Sequence, residues 1–174
     1  MMKRLLVIIG IILAQFSAIA SDSLSVVYRI RLDSDIDKSS QRLVTLGLEK
    51  ADKANADYVL IDIDTYGGAV DAADSIRSAI LRYERPVAAY VNMQAASAGA
   101  LISIACDSIY MKTGSSIGAA TVVDQSGNVM PDKYQSFMRG MMRSTAQATG
   151  RDPKIAESMT DTANVLSMTP SEAI

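Results

Sequence analysis

Val87-Ala88-Ala89-Tyr90-Val91, followed shortly by Ala95-Ala96-Ser97-Ala98-Gly99, sets the architecture of this chain. A short apolar run after Pro86 reads as a buried strand. Ala98 to Ala105 then continues as an apolar helix. A serine at a strand-to-helix junction sits at the carboxyl edge of a sheet, where ligands collect, and beside the positive end of a helix dipole. Two readings of Ser97 stay open. It is an N-cap, for which serine is a preferred residue, or it is a nucleophile given room by small neighbours at Ala95, Ala96, Ala98 and Gly99.

The same strand-turn-helix grammar occurs upstream. Ser25 to Leu32 alternates as a strand, and Asp33 to Asp37 is an acidic loop. Ser39 or Ser40 caps a helix to about Asn55, with Leu43, Leu46, Leu48 and Ala51 on its apolar face. Tyr58 to Ile63 is nearly continuous in apolar character, the type of strand buried on both faces of a sheet. It runs into the turn Asp64-Thr65-Tyr66-Gly67-Gly68, after which a helix over about Ala69 to Tyr83 turns Val70, Ala73, Ile76, Ile80 and Leu81 inward. Gly67-Gly68 is either a tight turn needing positive φ or a source of free N–H groups for an oxyanion, with the Ala98 N–H as second donor.

Downstream, Ser108 to Lys112 is another strand and Gly114 to Gly118 a loop, while Val122 to Met130 forms a small hairpin around Ser126-Gly127-Asn128. Pro131 opens a long helix ending near Thr149 and Gly150, and Asp152-Pro153 starts a short one. The order βαβαβαβ implies an α/β fold with parallel crossovers. Thr169 would cap a helix barely begun at Ile174, so the chain is expected to be a piece of a longer protein.

Composition narrows the chemistry. The 174 residues contain no histidine and one cysteine, Cys106, which excludes an intramolecular disulfide, a Cys–His pair and most zinc sites. A nucleophilic serine therefore needs a lysine or a carboxylate as its base. The net charge of −2 and the lack of a basic run argue against nucleic acid as a partner. At the N-terminus, Met1-Met2-Lys3-Arg4, the apolar run Leu5 to Ala14 and the small residues Ser17-Ala18-Ile19-Ala20 read as a secretory signal cleaved after Ala20. An uncleaved anchor is the alternative, although the sixteen residues from Leu5 to Ala20 fall short of the roughly 20 needed to span.

Six lysines come after the signal. Lys38, Lys50 and Lys53 lie in the first loop and on the polar face of the first helix, Lys154 near the end, and Lys112 at the close of a strand. Lys133 falls in the first turn of the long helix. There the helix dipole disfavours a cation, and a general base must be a neutral amine, a state expected here from partial burial of the lysine. An ordinary exposed lysine is the competing reading.

Asp62-Ile63-Asp64-Thr65-Tyr66-Gly67-Gly68, Ala95-Ala96-Ser97-Ala98-Gly99-Ala100, Ala105-Cys106-Asp107-Ser108-Ile109-Tyr110-Met111 and Ser115-Ser116-Ile117-Gly118-Ala119 together resemble the protease domain of the NfeD family. These are membrane-bound serine proteases of the ClpP class, related to signal peptide peptidase A. The resemblance runs from about Ser25 to the last residue. It implies a ClpP/crotonase-like fold of repeated ββα and βαβ units over residues 21–174, after a signal peptide over 1–20.

It also implies a Ser–Lys dyad of Ser97 and Lys133, with an oxyanion hole from Gly68 and Ala98 and substrate contacts from Gly67 and Tyr66. Tyr66 replaces the proline of the family's usual threonine-proline-glycine-glycine turn. No cofactor or metal is implied. The expected substrates and partners are stomatin-like membrane proteins or other hydrophobic polypeptides. The expected setting is the extracytoplasmic side of a membrane, with spans and a small β-barrel beyond Ile174 and assembly into a homo-oligomer. Two other classes compete with an endopeptidase. One is a catalytically silent scaffold of the same fold binding stomatin-like proteins. The other is a crotonase-type acyl-CoA enzyme, which export disfavours because acyl-CoA is intracellular.

Overall fold

The computed structural model describes residues 25–173, so the expected signal peptide and Ile174 lie outside the described residues. Alternation of strand and helix builds a six-stranded sheet in the order β1-β2-β3-β5-β6, with β4 also pairing β3. The strands are β1 (Val27–Leu32), β2 (Tyr58–Thr65), β3 (Val87–Ala96), β4 (Ser108–Met111), β5 (Ser116–Gly118) and β6 (Ser167–Met168). The helices are α1 (Lys38–Lys53), α2 (Val70–Leu81), α3 (Ala98–Ala105), α4 (Asp132–Ala148) and α5 (Pro153–Ser158). All pairings from β1 to β5 are parallel, and β6 runs antiparallel to β5.

Strand order rises monotonically from β1 to β3, so right-handed crossovers place α1 and α2 on one face. That face holds Ile30, Leu32, Val59, Ile61, Ile63, Val87, Ala89 and Val91, none more than 3% exposed. The opposite face carries Arg29, Arg31, Leu60, Tyr90 and Tyr110 in partial or full exposure, around a buried Asp62 paired with Arg29. Burial of β2 on both faces, expected from its apolar run, is complete on one face and partial on the other.

Two helix faces differ from expectation. The cap of α1 is Asp37, whose carboxylate accepts from the amides of Ser39 and Ser40 while Ser40 Oγ accepts from Asp37 N–H at 2.8 Å. Its buried stripe is Ser40, Val44, Gly47, Leu48 and Ala51, leaving Leu43 and Leu46 outside. Close approach at Gly47 explains the rotation, since a Cβ there would meet Ile30 Cδ1 at 2.5 Å. On α2, Ala72, Ala73, Ile76 and Ile80 are buried and Leu81 is not.

β3 extends five residues beyond the expected end at Val91 and is the strand that positions the site. It pairs β2 regularly as far as Ile63↔Val91, then resumes at Thr65↔Ala95. The two extra residues on β3 form a bulge, which bends the strand and re-aims its last residues. Across the bulge, β3 also changes partner on its other edge, from β4 at Ala88–Val91 to β5 at Gln94–Ala96. Part of the expected glycine loop, Ser116–Gly118, is therefore a strand. Three residues are too few to show a period, so its pairing, not its pattern, makes it a strand.

The helix after Ser97 is held at its far end. Thr149 Oγ1 donates to Ile104 O at 2.9 Å, and Arg151 donates to the carbonyls of Ile104, Cys106 and Asp107 at 3.2, 2.8 and 3.3 Å. A guanidinium there satisfies orphan carbonyls at a helix C-terminus and complements its dipole. Cys106 beside it is buried, and burial pushes its thiol up to about 12. Pro131 occupies the position before α4, just ahead of the first turn where it was expected, and Gly150 ends the segment at φ 73°.

Candidate active site

Ser97 joins β3 to α3 with φ 53° and ψ −116°. An N-cap takes extended backbone and turns its side chain onto the first amides of its helix. Ser97 does neither, and its Oγ has no hydrogen-bond partner among the described residues. The capping reading is set aside. A non-glycine residue held in this region costs about 1–3 kcal/mol and persists only where the surroundings enforce it. Here the Ser97 N–H donates to Gly118 O at 2.8 Å, and its carbonyl accepts from Ala100 N–H at 3.0 Å. The neighbours Ala95 and Ala98 are buried.

The Gly67-Gly68 turn lies directly against this serine. A Cβ on Gly67, at φ 115°, would stand 2.6 Å from Ser97 Cβ and 3.0 Å from Oγ. Gly68, at φ 151°, would drive a Cβ into the backbone of Ile36. Ile36 runs alongside the turn: its N–H donates to Gly67 O at 2.8 Å, and its carbonyl accepts from Ala69 N–H at 2.7 Å. The Gly67 carbonyl and the Gly68 N–H share one planar trans peptide. Fixing the carbonyl on Ile36 therefore aims the Gly68 N–H away from Ile36.

That N–H has no acceptor among the described residues, nor has the Ala98 N–H in the opening turn of α3. Two unpaired donors, from the residue after the serine and from the turn packed on it, suit a developing oxyanion. Tyr66 is 77% exposed at the rim, its hydroxyl accepting from Gln94 Nε2 at 2.9 Å.

Lys133 is placed differently. It lies in the first turn of α4, where Pro131 to Tyr134 are all exposed, and its Nζ sits 4.7 Å from the centre of the Tyr134 ring. It makes no hydrogen bond to Ser97, so the structure does not join the two residues into a dyad. Partial burial of Lys133 was the expected route to a neutral amine, and its exposure corrects that expectation. The physical reason is the face α4 buries: Gln135, Met138, Met141, Met142, Thr145 and Ala146 point inward and Lys133 falls outside the stripe. Lys112, just after β4, is exposed and donates to Asn92 Oδ1 at 3.1 Å.

The carboxylates near Lys133 have other work. Asp124 accepts from the amides of Ser126 and Asn128 at 2.8 and 2.9 Å, tying the turn of the segment 122–130, in which Val123 and Val129 form an antiparallel bridge. These bonds, the Asn128 amide first, hold its carboxyl below the usual range. Asp132 pairs with Arg139 at 2.8 Å.

Gln135 has no place among the residues singled out from the sequence. It is buried, accepts from Val122 N–H at 3.0 Å, and donates to the carbonyls of Val122 and Met130 at 2.7 and 3.1 Å. It thereby fastens both ends of the hairpin to α4. Its signal is a polar residue in register with Met138 and Met142 on the buried stripe.

Among the described residues no helix is long and apolar enough to cross a membrane. The family described as NfeD1b, N-terminal domain, matches residues 26–172. Membrane protein NfeD1b of Bacillus subtilis (strain 168) is 39% identical over 135 residues, covering 78% of this chain and 31% of that protein. Membrane-bound protease PH1510 of Pyrococcus horikoshii is 31% identical over 183 residues, covering 99% of this chain and 40% of that protein. The chain thus spans less than half the length of either relative.

A solved structure of the 1510-N membrane-bound stomatin-specific protease, a lysine-to-alanine mutant in complex with a substrate peptide, matches with a TM-score of 0.80 at 31% identity. That match covers 87% of this chain and 72% of the other. ClpP1 from Listeria monocytogenes, at 19% identity, shares the fold with a TM-score of 0.65 over 84% of this chain and 85% of the other. The ClpP-like α/β architecture is established by these matches. The chain belongs to the NfeD1b N-terminal domain family.

Proposed function

We propose that this domain is a serine endopeptidase that cleaves hydrophobic segments of stomatin-like membrane proteins through an acyl-enzyme. The observation that carries the reading is the strained, uncapped Ser97, packed on Gly67 with unpaired N–H groups at Gly68 and Ala98. Strain of this kind clusters where mechanism requires it. The family relationship supports the substrate class, since one relative is named a stomatin-specific protease.

In the reaction, Ser97 Oγ attacks the scissile carbonyl as its proton passes to the Lys133 amine. The Gly68 and Ala98 amides receive the oxyanion, and the lysine then delivers its proton to the leaving amine. Water, deprotonated by the same amine, releases the acyl group. Lys133 must come within about 2.6–3.2 Å of Oγ for these transfers, and such contacts are often looser before substrate binds. A lysine-to-alanine form of the 1510-N protease holds a substrate peptide, which is in keeping with a lysine in this role. Export and an extracytoplasmic, membrane-bound setting belong to the same proposal, as does a homo-oligomeric assembly.

Cleavage of an apolar peptide from a stomatin-like protein by the full-length protein tests the reading. Turnover by the parent and its loss in both Ser97→Ala and Lys133→Ala are the expected results. Undiminished cleavage by both variants would overturn the dyad. One observation favours a silent scaffold instead: Lys133 Nζ lies over Tyr134 and not on Ser97. A parent that binds the peptide yet neither cleaves it nor reacts with a fluorophosphonate would establish that second reading.

A further inference from the structure

Thr65 ends β2 and is 3% exposed, and its two branches serve different turns. The hydroxyl accepts from Gly67 N–H at 3.1 Å and donates to Ser34 O at 2.7 Å. The methyl lies against Gly99, where an added Cβ would meet Thr65 Cγ2 at 2.7 Å. Gly99 is in the first turn of α3, next to Ala98. One buried side chain therefore touches the turn that carries each of the two unpaired donors. β-Branching leaves Thr65 little freedom about χ1, so the positions of hydroxyl and methyl are fixed together.

The Gly67 peptide units are gripped on both sides as a result. Its N–H is held by Thr65 and its carbonyl by Ile36. Gly67 at φ 115° has no side chain to restrict its rotation, so these two bonds supply the restriction. Without the hydroxyl, a buried Gly67 N–H loses its acceptor, and the turn that carries the Gly68 N–H is held by the Ile36 bond alone.

We infer that Thr65 is a positioning residue that sets the placement of the Gly68 and Ala98 amides relative to each other, its hydroxyl acting through Gly67 and its methyl through Gly99. It touches no reacting atom. The inference rests on the proposed acyl transfer, because only there does the spacing of the two donors matter to a rate. Its physical half stands apart from that chemistry: hydrogen bonding at Gly67 should depend on the hydroxyl whether or not the protein cleaves anything.

Thr65→Val keeps the branched shape and removes the hydroxyl, and Thr65→Ser keeps the hydroxyl and removes the methyl. In the full-length protein, two measurements separate the outcomes. Amide hydrogen exchange should be faster at Gly67 in Thr65→Val than in the parent, and near parental in Thr65→Ser. Turnover of the apolar peptide, counted per fluorophosphonate-titrated site, should fall in Thr65→Val by on the order of 10- to 100-fold in kcat, the scale of a small misplacement. KM should change little, and Thr65→Ser should recover most of the rate.

Unchanged exchange at Gly67 in Thr65→Val would overturn the inference irrespective of activity. An unchanged kcat per titrated site beside altered exchange would also overturn it, by showing that the turn's orientation does not limit the reaction. A Thr65→Ser variant as slow as Thr65→Val would remove the hydroxyl from the account. Faster Gly67 exchange in Thr65→Val, beside a parent that neither labels nor cleaves, would instead be a failure of the proteolytic reading.

Discussion

The serine turn and the lysine arm of this molecule are built to opposite standards. Ser97 is fixed by its own backbone bonds, by Gly67 packed on its side chain, and by α3, whose far end Thr149 and Arg151 secure. Lys133 sits on the exposed start of α4, steadied by an aromatic ring and attached to the rest through Gln135 and a hairpin. Rigidity in this fold is concentrated around the serine. In the proposed reaction, the geometry that receives the scissile carbonyl is set before substrate arrives, and that of the proton acceptor is not.

The contrast breaks first at the two side chains themselves. Ser97→Ala in the full-length protein should lower kcat by on the order of 10⁴-fold or more, the range seen when a nucleophile is removed. Lys133→Arg should do nearly the same, because a guanidinium keeps the charge and does not give up its proton. A Lys133→Arg protein that cleaves as the parent does would leave the serine turn working without the arm.

Gly68→Ala comes next. Its Cβ would run into Ile36, so the turn must shift and one proposed oxyanion donor with it. Turnover should drop by about 10²–10³-fold, and the overlap with Ile36 at a positive φ should lower the melting temperature as well. Equal kcat in this variant would show that the Gly68 amide is not used.

A smaller effect sharpens the rigid side of the contrast. Ser97→Gly removes the side chain from a backbone geometry that glycine tolerates, and stability should rise by about 1 kcal/mol in chemical denaturation while cleavage disappears. Loss of stability instead would mean that the geometry is relaxed for serine.

The least effect concerns the arm. Hydrogen bonds from Asn128 and Ser126 lower the Asp124 carboxyl from its ordinary value of 3.8. A group shifted down contributes to the folded state above its unfolded value and loses that contribution as pH falls through the folded one. Exchange at the amides of Ser126 and Asn128 should therefore quicken below pH 3.8, once corrected for intrinsic rates, while the amides of Leu101 and Ile102 in α3 stay protected. Simultaneous exposure of both regions would show the hairpin to be as tightly built as the serine turn.

Much of this architecture is legible in the chain. Alternating apolar strands and 3.6-period helices announce the parallel sheet, and the small residues around Ser97 and Gly67-Gly68 announce two turns that meet. The legible features are local ones. The hidden ones depend on partners distant in sequence: Ser116–Gly118 becomes a strand only through β3, and the buried stripe of α1 shifts because Gly47 admits Ile30. Hydrophobicity alone turns Leu43 and Leu46 inward, yet both lie outside. Local signals place Lys133 at a helix start, but which way that start faces is decided by the packing of Gln135 and Met138 farther along.

The sealed thiol at Cys106 has a practical consequence. With its sulfur wholly buried and its ionisation pushed up to about 12, the folded domain should resist ordinary maleimide reagents at neutral pH. A cysteine introduced at Ser126, on the tip of the hairpin, would be the single reactive handle among the described residues. One spin or fluorescent label there would report whether the arm approaches the serine when substrate binds.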